Sequence, residues 1–163
     1  MGIFTLKKSL DFLTPVVGLA PVTPSSSTPD YVSLRGYDGM VAYIVVDNGD
    51  TVTGSAITLK QASDVAATGE KALAFDTMYA NVDVGAGFAL TETAVTSDTF
   101  TTNTTNAKNL LYVIDIPKEN LDTANGFDCV RVGTGNAANT VVSVLYVLYS
   151  AKYSGQAINP TVD

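Results

Sequence analysis

Stretches in which apolar or β-branched residues alternate with polar ones run through most of this chain, and short groups of Gly, Asn and Asp interrupt them. Alternation with a period of two places one set of side chains in a core and the other in solvent, which is the pattern of a β-strand. Roughly eight such stretches follow residue 40, and no long helical pattern separates them. The sequence therefore predicts an all-β fold, either an antiparallel β-sandwich or jelly roll or a barrel-like domain.

The strands differ in how apolar they are. Shorter or more polar strands are predicted at residues 55–61, 72–75, 88–102 and 127–132, with Ile57 and Leu59 facing the core, and one helical turn is predicted within residues 118–125. A buried strand is predicted at residues 40–46 (MVAYIVV) and a central strand, stopped by Pro117, at residues 109–116 (NLLYVIDI). The most apolar strand of the chain is predicted at residues 141–149 (VVSVLYVLY).

Two clusters of turn residues lie between predicted strands. The Asn48-Gly49 pair in residues 47–50 tolerates the positive φ of a hairpin turn. Residues 133–138 (GTGNAA) superficially resemble a dinucleotide-binding loop, but a strand and not a helix follows them. We therefore predict a hairpin turn at each cluster.

The first thirty residues differ from the rest of the chain. Four of the six prolines fall within residues 15–30, and proline removes a backbone donor and fixes φ, so this stretch is predicted to be an extended linker. Before the linker, Leu6, Leu10 and Leu13 follow helical spacing. We expect an extended N-terminal arm and Pro/Ser linker at residues 1–30, and a single β-domain with a C-terminal tail at residues 31–163.

Two apolar groups are candidates for contact with a partner. The arm either docks on a neighbouring subunit or packs on its own domain. The aromatic strand near the C-terminus is typical of a core, or of a subunit interface, where tyrosine is enriched. The candidate partner-binding residues are Phe4, Leu6, Leu10, Phe12, Leu13, Tyr146, Tyr149 and Tyr153.

The residue inventory excludes most catalytic chemistry. The chain has no His and one Cys, so a Ser-His-Asp or Cys-His set cannot form, and a zinc site is excluded in practice. Glu70, Glu92 and Glu119 lack the Trp-bearing surroundings of sugar-cleaving sites, and residues 47–50 lack the ligand spacing of an EF-hand. We expect no enzymatic activity, no cofactor and no metal.

The net charge of the chain limits the kinds of partner that it is expected to bind. Nine basic residues stand against sixteen acidic ones, for a net charge of −7. Binding to phosphate requires a basic face, so neither nucleic acid nor an anionic membrane is an expected partner. Cys129 is predicted to be a small buried side chain and not a reactive thiol, since Arg131 is its only nearby cation.

Several segments taken together resemble small virion proteins of tailed bacteriophages and prophages. They follow one another in order over residues 30–163, whereas the N-terminal arm matches least well. The segments are residues 56–75 (AITLKQASDVAATGEKALAF), 106–116 (NAKNLLYVIDI), 121–132 (LDTANGFDCVRV) and 144–163 (VLYVLYSAKYSGQAINPTVD).

The resemblance implies a head decoration, or cement, protein. Such a protein is made in the host cytoplasm and binds the exterior of an HK97-type capsid, with the major capsid protein and its own copies, commonly as a homotrimer, as partners. One alternative is another virion β-protein, such as a tail tube subunit, a head fibre base or a jelly-roll coat subunit. A second alternative is a carbohydrate-binding module in which Tyr37, Tyr43 or Tyr79 stacks on sugars.

Overall fold

The computed structural model describes residues 13–24, 28–106, 108–135, 137–152 and 161–162. Within these ranges no α-helix is present, and short 3-10 turns lie at Lys118–Asn120 and Thr123–Asn125. The strands are β1 (Leu13–Val22), β2 (Val32–Ser33), β3 (Gly39–Asp47), β4 (Ala56–Ala62), β5 (Lys71–Ala72), β6 (Phe75–Asn81), β7 (Thr91–Ser97), β8 (Thr99–Thr101), β9 (Asn109–Pro117), β10 (Cys129–Thr134) and β11 (Val141–Tyr149).

The strands form two antiparallel sheets. The six-stranded sheet has the order β1-β11-β3-β9-β6-β7, and the five-stranded sheet has the order β2-β10-β4-β5, with β8 also paired to β4. Inward-facing residues of both sheets, such as Ile44 of β3 and Leu59 of β4, belong to one apolar core. The predicted all-β antiparallel class is confirmed, and it takes the form of a sandwich.

The three most apolar stretches of the sequence lie side by side at the centre of the six-stranded sheet. β11, β3 and β9 each contribute nine residues and pair in continuous register. Pro117 ends β9, as expected of a residue that cannot donate to the ladder. Ile57 and Leu59 of β4 are fully buried, as the alternation predicted.

Tyr146 connects the two sheets through the core. Its hydroxyl accepts a hydrogen bond from the Val132 amide of β10 at 3.0 Å and donates one to the Asp30 carbonyl at 3.1 Å. Along β10, the partners of β2 are Cys129 and Val130, so β2 ends before it reaches the Val132 amide. The phenol therefore continues the backbone pairing of β10 beyond the end of β2.

Strand β1 bends where it passes the Tyr146 ring. A Cβ atom at Gly18 would lie 2.3 Å from a carbon of that ring, so no larger residue fits without displacement. The pairing of β1 with β11 shifts register between Val17 and Leu19. Consequently Val17 is exposed on the outside of the sheet, whereas Leu19 is buried in the core.

Part of the predicted linker is a strand of the domain. Leu13–Val22 pairs with β11 although it contains Pro15 and Pro21. The linker prediction is wrong for this stretch, because an edge strand uses the backbone donors of one side only and so tolerates proline. The predicted arm at residues 1–12 and the serines at residues 25–27 lie outside the described residues.

Neither of the two predicted hairpin turns joins neighbouring strands of one sheet. Residues 47–50 lead from β3 to β4, and residues 133–138, of which Asn136 is not described, lead from β10 to β11. In each case the two strands belong to different sheets. Turn residues such as Asn48-Gly49 and the glycines of residues 133–138 indicate the local conformation of a turn and not the sheet to which the next strand belongs. The hairpin prediction is therefore wrong at both places.

Two predicted strands have different bounds in the structure. The strand predicted at residues 72–75 is replaced by β5 and β6, which leave residues 73–74 between them. The strand predicted at residues 88–102 is divided into β7 and β8, and these belong to different sheets. The turn predicted within residues 118–125 is present as the two 3-10 turns.

We expect Tyr146→Phe to destabilise the fold by about 1–3 kcal/mol, because a buried amide that loses its acceptor costs roughly that much. Equilibrium urea unfolding followed by circular dichroism measures the change. Tyr149→Phe is the matched control, since its hydroxyl bonds the exposed Asp115 carboxylate and its loss should cost less. Equal stability of the two variants would contradict the connecting role of Tyr146.

Candidate functional site

The structure separates the predicted partner-binding residues. Phe4, Leu6, Leu10, Phe12 and Tyr153 lie outside the described residues. Leu13 is exposed at the start of edge strand β1, and Tyr149 is partly exposed at the end of β11.

Tyr146 is fully buried. Its prediction as a partner contact is therefore wrong. Every second residue of β11 faces the core, and Tyr146 falls in that set together with Val144 and Leu148.

The six-stranded sheet is apolar on its outer side as well as on its core side. In β3, β9 and β11, residues that alternate with the core residues are also mainly apolar, a pattern typical of strands covered on both sides. Yet Val17 is 61% exposed and Val45 is 48% exposed. We call this side the outer apolar face, formed by Val17, Val41, Tyr43, Val45, Tyr79, Leu111, Val113, Val141, Leu145 and Val147.

Strand pairing aligns the centre of the outer apolar face into a continuous row. Directly opposed residues of neighbouring strands lie on the same side of a sheet, so their side chains adjoin. The row crosses five strands from β1 to β6 and consists of Val17, Leu145, Tyr43, Val113 and Tyr79.

Charge is scarce on this sheet. Its six strands contain no Lys or Arg. Their acidic residues, which lie near strand ends or on the edge strand, are Asp47, Asp76, Glu92 and Asp115.

Tyr149 is held at the margin of the outer apolar face. Its hydroxyl donates to Asp115 at 3.0 Å, and its ring passes over Gly39, where a Cβ atom would lie 2.3 Å from the tyrosine oxygen. Burial, and then the hydrogen bond to Asp115, raises the pKa of Tyr149. The phenol therefore stays neutral, and the outer apolar face gains no charge from it near neutral pH.

A second exposed apolar feature is the loop between β6 and β7. Phe88 is 93% exposed, and Val82 and Leu90 of the same loop are also exposed. A large aromatic ring in solvent is unusual, since aromatic side chains supply much of the apolar area that proteins bury. Sequence analysis assigned Phe88 to a strand and so missed this feature.

The five-stranded sheet has a different, polar outer side. Glu70 accepts hydrogen bonds from the Tyr31 hydroxyl and from Arg131, both at 2.6 Å, and it also pairs with Lys60. The Arg131 guanidinium lies 4.7 Å from the centre of the Tyr31 ring. The charges of this cluster largely satisfy one another, so the cluster stabilises the sheet and does not present a reactive group.

The pKa of Glu70 reflects this arrangement. Burial raises it, but hydrogen bonds from Lys60 and Tyr31 and the positive charge of Arg131 outweigh burial and hold the pKa below its ordinary value. Burial, followed by the hydrogen bond to Glu70, raises the pKa of Tyr31. Glu70 is therefore ionised and Tyr31 neutral over the physiological range.

Open surface depressions occur in the described part of the chain. Two of them, of about 490 and 470 Å³, lie at Phe75 and Val95 and beside the loop at Gly87. No group of three potential metal-ligating side chains occurs among the described residues, nor does a helix there have the length and apolar character to cross a membrane. The outer apolar face is therefore the best-developed candidate site.

The tyrosines considered for sugar stacking do not form a common site. Tyr37 is buried, so its ring cannot stack on a sugar. Tyr43 and Tyr79 belong to the outer apolar face and are separated there by Val113 of β9. Their surroundings are apolar, whereas binding to a sugar also requires polar groups for its hydroxyls.

Comparison with known proteins finds one similar solved structure. No protein-family model matches the chain, and no curated protein matches it. Among solved structures, the fold is similar to the crystal structure of SPBc2 prophage-derived protein YomS, with a TM-score of 0.46 and 13% sequence identity. The alignment covers 85% of this chain and 93% of that protein. At these values, no residue or role is carried over from that protein.

We expect Glu70→Gln to lower the unfolding free energy at pH 7 by about 1–3 kcal/mol, because hydrogen bonds to a charged group are lost. The lowered pKa of Glu70 adds stability above its ordinary value of 4.5, and this contribution disappears as the pH falls through the folded-state value. Urea unfolding between pH 7 and pH 3 should show the difference from wild type shrinking. A constant difference would contradict the assignment.

We expect Cys129 to resist thiol reagents in the folded protein. Its side chain is buried, and burial, with a smaller contribution from the neighbouring Asp128, raises its pKa to about 12. Reaction with a chromogenic disulfide reagent at pH 8 should be slow for the native protein and fast in urea. Rapid reaction of the native protein would show that the thiol is accessible.

Proposed function

We propose that this chain is a structural virion protein of a tailed bacteriophage and decorates the exterior of the capsid. It is made in the host cytoplasm, binds the major capsid protein of an HK97-type head, and associates with its own copies as a homotrimer. In this role it performs no catalysis, holds no cofactor, and contacts neither nucleic acid nor membrane. The resemblance of residues 56–75, 106–116, 121–132 and 144–163 to small virion proteins supports the proposal.

The observation that carries the proposal is exposed apolar surface at two places, the outer apolar face and the loop that carries Phe88. Exposed apolar patches of this extent on a folded domain mark surfaces that bind other proteins. The face lies on a rigid sheet, where β11, β3 and β9 are paired along their whole length. A rigid surface loses little conformational freedom on binding, which suits a protein that must reinforce an assembly.

The charge of the chain fits the same role. A net charge of −7 keeps separate copies apart before assembly and opposes adventitious binding to packaged nucleic acid. The basic side chains of the described sheets lie on the five-stranded sheet, for example Lys60 and Arg131, where they pair with Glu70. The strands of the six-stranded sheet contain no basic residue, so this sheet suits contacts in which burial of apolar area dominates.

Stabilisation of the shell follows from mass action. A protein that binds the assembled lattice, and not its free subunits, lowers the free energy of the assembled state in proportion to the logarithm of its concentration. Contact with several capsid subunits at once multiplies the effect, because each later contact forms at a high effective concentration. Phe88, exposed on its loop, is the side chain that we expect to anchor the protein to the shell.

We expect particles assembled without this protein to lose their contents at a lower temperature, and in lower salt, than complete particles. Adding back the purified protein should restore the wild-type threshold. Phe88→Ser should weaken rebinding by roughly tenfold or more, since aromatic anchors contribute most of the energy of an interface. Cosedimentation with the depleted particles measures the binding.

The matched control is Ala86→Ser, which changes an exposed residue of the same loop without removing a ring. Its binding should equal that of the wild type. Equal resistance of depleted and complete particles would refute the decoration function. If the chain alone assembled into long stacked rings, a tail tube subunit would replace the proposed function.

A further inference from the structure

We propose that a second copy of this chain covers the outer apolar face. This inference rests on the proposed function, in which copies associate, and it names the surface through which they do so. When a second copy covers this face, the loop that carries Phe88 remains free to contact the shell.

The dimensions of the face match those of a stable interface between copies. The face crosses five strands, which span about 19 Å at a spacing of about 4.8 Å, and a nine-residue strand is about 30 Å long, which gives roughly 600 Å². Two partners together would bury about 1,200 Å², which lies at the lower end of the range for specific, stable interfaces. A neighbouring copy of the domain offers this area without a change of shape.

The composition of the face also fits contact between copies. The central row from Val17 to Tyr79 contains no charged residue, and the strands of the sheet contain no Lys or Arg. Interfaces within homo-oligomers are more apolar than those between proteins that meet transiently. Such interfaces also have an apolar centre and a polar rim. The outer apolar face has an apolar centre, and acidic residues such as Asp47 and Glu92 lie near its margins.

The shape of the face suits packing against another sheet. Two sheets pack face to face about 10 Å apart when the facing side chains interdigitate. The side chains that project here alternate in size, from Val45 and Val113 to Tyr43 and Leu145. The core side of the same sheet already packs on the five-stranded sheet in this way.

The test is the mass of the full-length protein in solution, measured by light scattering and sedimentation over a wide range of concentration. We expect a wild-type oligomer that single substitutions dissociate. Leu145→Glu and Leu145→Lys place opposite charges at one half-exposed position in the central row. Each should raise the dissociation constant roughly a hundredfold or more, because a charge without a partner would be buried.

Thr101→Glu is the matched control, because Thr101 is an exposed strand residue of the five-stranded sheet. It should leave the oligomer unchanged. Circular dichroism and thermal melts of all variants verify that loss of the oligomer is not loss of the fold. Added salt should strengthen association, since it screens the repulsion between copies of net charge −7.

The outcomes are separable from those of the decoration experiment. A dimer or trimer that both Leu145 variants dissociate supports the inference. A monomeric wild type, an oligomer that survives both substitutions, or one that only Leu145→Glu dissociates overturns it. A monomer that still binds depleted particles overturns the inference and the proposed homotrimer but leaves the decoration of the capsid standing. An oligomer that fails to protect particles refutes the decoration function alone.

Discussion

The packing of the two sheets depends on the reach of one side chain, Tyr146. Its ring lies in the core between β11 and β10. Its hydroxyl accepts a hydrogen bond from the Val132 amide, which β2 is too short to reach. The position of the ring in turn requires glycine at residue 18 and a shift of register in β1. The position of the Tyr146 ring therefore links three features. They are the hydrogen bond to the Val132 amide, the short strand β2 and the bend in β1.

This arrangement also determines which side chains reach the outside. Before the bend in β1, Val17 points away from the core and adjoins Leu145 in the central row of the outer apolar face. After the bend, Leu19 points inward. The central strands contribute apolar residues to both sides, so the six-stranded sheet has a core on one side and an exposed counterpart on the other. A sheet with this distribution contributes to one core and leaves apolar area exposed on its other side.

Local patterns predicted the strands better than the contacts between them. β11 has the bounds that its alternation predicted, and Ile57 and Leu59 are buried as expected. The turns at residues 47–50 and 133–138 were misassigned, because turn residues specify backbone angles and not the sheet to which the next strand belongs. The outer apolar face was missed for a related reason. A strand that is apolar on both sides does not reveal which side meets the core, and this choice placed Tyr146 inside and Leu145 outside.

The prolines of β1 have a consequence for how copies of the chain can join. Pro15 and Pro21 lie on an edge strand and lack the amide proton that a further strand would need. This border of the sheet is thus a poor template for adding strands from another molecule, and open-ended fibrous growth from it is disfavoured. Contact between copies through their faces would instead give assemblies of finite size.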